Sequence, residues 1–206
     1  MIYPGFGKRV FDLAVSSLGL LGFLPMMALV AVLVRFSGPG PVFFRQERMG
    51  KGGRGFRLFK FRTMRPGNGA SAGFTPGDAS RVTRIGRALR ETKLDEMPQL
   101  INVLAGDLSL VGPRPEVPDY RSVYRGDFGK ILEVRPGITD SASVKYRREE
   151  RTLALSDDPK RIYVQSILPD KLRMNLEYVE NISFGKDLKI LGATFRSLLK
   201  RGEGRE

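Results

Sequence analysis

The longest apolar run is Leu13 to Val34, LAVSSLGLLGFLPMMALVAVLV, about 22 residues without a charge. At ~1.5 Å rise per residue, a helix of that length can cross a hydrocarbon core of ~30 Å. The run is longer than the apolar part of a secretory signal, and no small-x-small cleavage site follows it. Pro25 lies near its middle; it lacks a backbone donor and clashes with the preceding turn, which predicts a bend or a break. Lys8 and Arg9 precede the run, and Arg35, Arg45 and Arg48 follow it. Basic flanks prefer the cytoplasmic side. Both ends then emerge on that side if the helix enters, turns at Pro25 and returns, with Lys8 and Arg9 as interface anchors. A plain span with basic flanks is the competing pattern.

After a breaker cluster, SGPGP (37–41), the period shortens. VFFRQERMGKGGRGFRLFKFRTM reads as two strands around a Gly-rich turn at 50–55. FRLFKFRTM alternates apolar and basic residues, so one face packs while Arg57, Lys60 and Arg62 face polar surroundings. Lys51 and Arg54 in that turn invite a phosphate-loop reading, but no Gly-Lys-Ser/Thr follows in register, and a hairpin fits better. Residues 65–80 are a Gly/Ser/Pro-rich loop. RVTRIGRALRETKL is a basic helix with Arg81, Arg84, Arg87 and Arg90 near one face; a solvated or headgroup-facing stripe accounts for most of them. MPQLINVLAG predicts a short helix stopped by Gly106. ILEVRPGIT (131–139) is a strand-and-turn element. The remainder is largely helical, and Phe184 to Leu199 is amphipathic with interleaved basic residues, suited to a membrane surface or to core packing. The pattern is α/β, mostly helical with a small β-hairpin or sheet. It divides into an N-terminal membrane helix at 1–36 and a cytosolic domain at 37–206.

The 206 residues hold 35 Lys+Arg against 22 Asp+Glu, a formal charge of +13, which favours anionic partners. No Cys and no His are present. Disulfides, thiolate nucleophiles and Cys-based zinc sites are excluded, and so is the commonest general base. Chemistry must rest on Asp, Glu, Lys, Tyr, Ser or Thr, with a hard cation on oxygen ligands where one is needed.

RETKLDEMPQLINVLAGDLSLVGPRPE (90–116) places Asp95 beside Glu96 at the start of the short helix. The plain reading is capping, because acids in a first turn suit the helix dipole and Pro98 is tolerated there. The same position attracts phosphate and keeps a carboxylate ionised. Adjacent helical side chains diverge by about 100°, so the two acids would serve different targets. Arg90 and Arg114 could supply charge-assisted contacts to a diphosphate, and Pro113 and Pro115 stiffen the backbone around Arg114.

FKFRTM, KLDEMPQLINVLAGD, SLVGPRP, RPGIT and YVENISFGKDLKI occur in this order. Together they resemble the bacterial sugar transferases, the small monotopic phosphoglycosyl transferases, over nearly the whole chain. The resemblance implies an enzyme that moves a sugar phosphate from a UDP-sugar to polyprenyl phosphate, releasing UMP, at the cytoplasmic face of the bacterial inner membrane. It implies Mg²⁺, with Asp95 as nucleophile and Glu96 as metal and proton partner. It implies Arg90, Arg114 and Lys60 near the phosphates. It further implies a compact domain on a re-entrant, Pro-kinked helix with interfacial amphipathic helices. Partners would be the UDP-sugar, polyprenyl phosphate and membrane lipid, without nucleic acid; a homo-oligomer stays open. With no apolar helix ahead of Lys8, the likeness is to the minimal form. Two departures stand out. Leu24 precedes Pro25 where the family often has Ser. DSASVKYRREE follows RPGIT in place of a Trp-containing run, and Asn175 stands where Asp is common, which bears on the sugar site.

Two rival readings remain. One is a non-catalytic, membrane-anchored binder of nucleic acid or anionic lipid, resting on charge alone. The other is a Mg²⁺-dependent phosphohydrolase.

Overall fold

A computed structural model describes residues 3–66, 81–147, 149, 153 and 155–199. Nearly all of the predicted 65–80 loop lies outside the described residues. A π-turn at Tyr3–Gly7 leads into α1, Lys8–Phe36. The α-helical pattern runs through Pro25 and does not stop there. One stripe of α1 faces the rest of the protein: Lys8, Asp12 and Ser16 at one end, Met27, Val30 and Val34 at the other. Between them, Leu21 to Pro25 are exposed one after another. Five consecutive helical residues cover more than one turn of ~3.6, so the middle of α1 stands clear of the body on every side.

Both ends of α1 are tied down by polar contacts. Asp187, fully buried, accepts from Lys8, from Tyr3 Oη at 2.7 Å and from Tyr178 Oη at 2.6 Å. Asp12 accepts from the Leu110 amide at 3.1 Å. Arg9 donates to the carbonyls of Val103 (2.6 Å) and Leu104 (3.1 Å). The two residues expected to anchor at the membrane interface, Lys8 and Arg9, therefore turn inward and hold α1 to the body. At the other end Val34 packs with Phe61, Leu89, Met27 and Val30 in one apolar cluster.

Strands β1 (Phe43–Met49) and β2 (Gly55–Phe61) form the predicted antiparallel hairpin, Phe43 opposite Phe61 and Met49 opposite Gly55. Its turn uses Gly52 and Gly53 at φ 69° and 71°, where a side chain would be strained. The predicted division of β2 into faces is corrected. Arg57 and Lys60 are an odd number of residues apart and lie on opposite faces. Arg62 is buried, and its polar surroundings are the carbonyls of Val34, Gly38 and Pro39.

Helix α2 (Arg84–Thr92) starts on a Thr83 cap, whose Oγ1 accepts the Gly86 amide at 2.9 Å. Helix α3 (Gln99–Ala105) ends on Gly106 at φ 93°, the predicted stop. A short parallel pair, β3 (Ser109–Val111) and β4 (Gly137–Thr139), follows. The chain ends in α4 (Ser141–Lys145), α5 (Pro159–Ile162), α6 (Leu168–Glu180) and α7 (Phe184–Leu199), with a π-turn at Tyr163–Ile167 between α5 and α6. Helix is thus the dominant structure, with two small sheets. A second apolar cluster centres on Ile131, Leu153, Tyr163, Ile167, Leu168 and Leu172. On α7, Phe184, Leu188, Phe195 and Leu199 stay exposed. Their spacing of four, seven and four puts them on one face.

Candidate active site

The site is built on the joint between α2 and α3. Lys93 ends α2 in the left-handed conformation, φ 60°, the one non-glycine with positive φ among the described residues. Such a backbone is uncommon for a side-chain-bearing residue and collects at functional sites. It turns the chain sharply, and Leu94–Glu96 then form one 3₁₀ turn ahead of Pro98. Pro98, not an acid, occupies the N-cap of α3, and neither Asp95 nor Glu96 makes a side-chain capping bond. Helix capping therefore does not account for the two carboxylates.

Both are buried, at 6% and 9% exposure, and their surroundings differ. Glu96 Oε1 accepts from Lys60 Nζ at 2.9 Å and from Arg114 Nη2 at 2.8 Å. Asp95 Oδ1 is buried with no hydrogen-bond partner. Burial raises Asp95 to about 6, and the charge on Glu96 adds to the rise. Burial also works against ionisation of Glu96, but Arg114 and then Lys60 outweigh it and hold Glu96 well below the usual carboxylate range. In return Glu96 pushes Arg114 upward. Burial is the first cause of a lowered Lys60. One carboxylate is thus committed to its cations, while its neighbour keeps an oxygen aimed at nothing in the protein. A buried polar atom without a partner costs about 1–3 kcal/mol, and a ligand oxygen or cation would relieve it.

The cations arrive from three elements. Lys60 comes from β2, which Asn102 ties to α3: its Oδ1 accepts the Phe59 amide at 3.0 Å and its Nδ2 donates to the Arg57 carbonyl at 2.9 Å. Arg90 comes from the last turn of α2, with Nε on Thr63 Oγ1 at 3.0 Å and Nη2 at 3.3 Å from Met64 Sδ. Its charge favours the ionised form of Asp95. Arg84 and Arg87 of the same helix are exposed, as the stripe reading expects. Arg114 sits in GPRP, whose backbone is pinned throughout. Gly112 N donates to Thr139 O (3.0 Å), Pro113 O accepts Gly137 N (2.9 Å), Arg114 N donates to Asp140 Oδ2 (3.3 Å) and Pro115 O accepts Arg48 Nη1 (3.1 Å). The prolines have no amide to satisfy, so no backbone donor of the segment is left over. Gly137 is obligatory here: a Cβ on it would lie 2.1 Å from Gly112 N.

The structure thus brings together Asp95, Glu96, Lys60, Arg114 and the region of Arg90. Sequence reasoning missed Lys93, whose charge acts on both acids. It also missed Asp140, which holds the Arg114 amide while capping α4 through Ser143 N at 2.6 Å. The Asp-Ser-x-Ser start of α4 is an N-cap signal that could have found Asp140; nothing in the sequence marks Lys93.

No group of three or more Asp, Glu, His or Cys able to hold a metal occurs among the described residues. Two carboxylates suffice for Mg²⁺, which takes one or two from protein and the rest of its shell from substrate phosphates and water. The unpartnered Oδ1 of Asp95 fits that role.

Residues 3–201 match the family model described as Bacterial sugar transferase. A UDP-glucose:undecaprenyl-phosphate glucose-1-phosphate transferase from Caulobacter vibrioides is 38% identical over 198 residues, 93% of this chain and 69% of that protein. A UDP-N-acetylgalactosamine-undecaprenyl-phosphate N-acetylgalactosaminephosphotransferase from Aeromonas hydrophila is 36% identical over 198 residues, 94% of this chain and 44% of that protein. An exopolysaccharide production protein from Rhizobium leguminosarum is 35% identical over 205 residues, 96% of this chain and 97% of that protein.

Proposed function

This chain belongs to the bacterial sugar transferase family, and we propose that it transfers a sugar phosphate from a UDP-sugar to undecaprenyl phosphate through Asp95. The observation that carries the reading is the split pair. Asp95 is a buried carboxylate with a free oxygen and a pKa raised to about 6, first by burial. Glu96 is locked as an anion between Lys60 and Arg114.

A carboxylate nucleophile needs no His or Cys. A carboxylate oxygen of Asp95 attacks the sugar-bearing phosphorus of the donor. The bond from that phosphorus to the bridging oxygen breaks, and UMP leaves with the electron pair. The phosphosugar is then held on Asp95 as an acyl phosphate. An oxygen of polyprenyl phosphate attacks the same phosphorus, and Asp95 leaves as a free carboxylate. Arg90, Lys60 and Arg114 offset the charge that gathers as anions approach one centre. Lys60 and Arg114 also keep Glu96 ionised and fixed beside the reacting centre. Asp95 and Glu96 would hold Mg²⁺, which supplies further charge neutralisation at the diphosphate when bound.

The lipid acceptor explains the membrane helix. The middle turn of α1, Leu21 to Pro25, is exposed and apolar, with Leu21, Phe23 and Leu24 standing clear of the body. Both flanking halves contact the same folded domain, so a full span would carry that domain into the bilayer. A re-entrant seating, deepest near Pro25 and with both ends at the cytoplasmic face, satisfies both facts. The exposed face of α7 lies next to the start of α1, where Phe184 meets Tyr3 and Phe11 edge to face at 5.4 Å. It would rest in the same interface.

The test is UMP release from a panel of UDP-sugars with undecaprenyl phosphate and Mg²⁺, followed by mass spectrometry for a phosphosugar on Asp95. Normal turnover by Asp95→Asn would sink the nucleophile assignment. Free sugar phosphate in place of a lipid-linked product would point to the hydrolase instead.

A further inference from the structure

Arg62 joins the end of the membrane helix to the site. It directly follows β2 and is 6% exposed. Its guanidinium donates from Nη2 to the carbonyls of Val34 (2.8 Å) and Gly38 (2.7 Å) and from Nη1 to that of Pro39 (2.8 Å). These are carbonyls of the last turn of α1 and of the loop just beyond it. A fixed cation at a helix C-terminus opposes the dipole, and a planar fork can serve several oxygens at once. The loop is shaped to admit it. Gly38 and Gly40 sit at φ 140° and 111°, and a Cβ on Gly40 would lie 2.7 Å from Arg62 Nη1. The SGPGP cluster is therefore a cradle for a guanidinium as well as a helix stop.

The residues on either side of Arg62 reach the site. Lys60, two positions back and on the same strand face, holds Glu96. Thr63, one position on, holds Arg90 through Oγ1 and accepts the Thr83 amide at 3.0 Å through its carbonyl. The backbone between them is fixed by Arg62 N on Val42 O at 2.9 Å.

We propose that Arg62 is a positioning residue that couples the docking of the α1 C-terminus to the placement of Lys60 and Arg90. Seating of the membrane helix then assembles the cationic half of the site. This inference rests on the proposed phosphosugar transfer. Its test is arranged so that the two can fail separately.

The full chain in nanodiscs is assayed for hydrogen–deuterium exchange and UMP turnover. Arg62→Met should raise exchange both at residues 34–42 and at 59–64, and lower turnover by about 30-fold, the scale of losing a charge-assisted contact. Arg62→Lys retains a cation without the fork and should lose about fivefold; it decides the matter if Arg62→Met does not fold. Arg57→Met, exposed on the opposite face of β2, should change neither reading. The deciding measurement is a double-mutant cycle. Starting from Lys60→Met, the further change Arg62→Met should cost at least about tenfold less than it does in the wild type. Equal losses in both backgrounds would mark Arg62 as structural only and overturn the coupling. So would exchange confined to 34–42, or full turnover by Arg62→Met. If the wild type releases no UMP from any UDP-sugar, the transfer reading fails, while the spread of exchange from 34–42 to 59–64 still decides the coupling.

Discussion

If Asp95 is the nucleophile, the first chemical step has an acid limb whose position follows from its surroundings. Burial, with the Glu96 charge adding to it, raises Asp95 to about 6 against the opposing charges of Lys60, Lys93 and Arg90. Only the carboxylate attacks. With a pKa of about 6 the reactive fraction is about nine-tenths at pH 7, half at pH 6 and one-tenth at pH 5. A quenched-flow measurement of the UMP burst, on mixing enzyme with UDP-sugar and no acceptor, should therefore slow about tenfold between pH 7 and pH 5. The acceptor is omitted because a phosphate monoester itself titrates near ~6. Two substitutions should move the limb in opposite directions. Lys60→Met removes a cation that favours ionised Asp95, so the limb rises. Glu96→Gln removes the neighbouring anion, so the limb falls. A charge within contact range shifts a carboxylate by roughly 1–3 units, so each displacement should reach about one unit. The burst amplitude must stay near one per site for the comparison to hold. Limbs that shift the same way in both variants, or a wild-type limb near the ordinary value of about 4, would refute the charge coupling between the two acids.

Asp95→Asn should abolish turnover yet raise the melting temperature in detergent at pH 8. A folded pKa of about 6 against 3.8 corresponds to on the order of 3 kcal/mol of destabilisation when Asp95 is ionised. Wild-type stability should recover as pH falls from about 6 toward 3.8, where the native state binds the proton more readily, and the gap between the proteins should close over that window. Gly86→Ala would place a Cβ 2.0 Å from the Thr63 carbonyl, so α2 must shift. Denaturation should show a loss of about 1–3 kcal/mol or more, with reduced turnover because α2 carries Arg90. Single cysteines replacing the exposed Pro4 and Pro41 should both react with an impermeant maleimide from the cytoplasmic side only; labelling from opposite sides would establish a span.

The elements that were readable from sequence are those set by local rules. The hairpin follows from apolar runs flanking Gly52 and Gly53, which must take positive φ. The stop of α3 follows from Gly106, and the limits Phe184–Leu199 follow from amphipathic spacing. Long-range satisfaction of charge was not readable. Lys8 and Arg9 looked like lipid anchors because nothing local announces Asp187 or the carbonyls of Val103 and Leu104 as their partners. Alternation along β2 put Arg62 in polar surroundings but says nothing about the loop that folds back over that residue to supply them.

The same reasoning accounts for the pair at 95 and 96. Side by side in sequence, Asp and Glu have similar intrinsic acidity, and either could cap a helix or carry a reaction. Their difference arises at Lys93. A left-handed residue there rotates the next turn, so that Glu96 meets Lys60 from β2 and Arg114 from beyond β3 while Asp95 Oδ1 meets neither. Those partners lie 36 and 18 residues away, and their placement depends on Asn102, Asp140 and the close backbone approach at Gly137. On the proposed mechanism, chemistry by Asp95 therefore depends on contacts that keep Glu96 occupied. A substitution that frees Glu96 should impair the reaction without touching the nucleophile, and one that gives Asp95 Oδ1 an internal partner should stabilise the fold at the expense of activity.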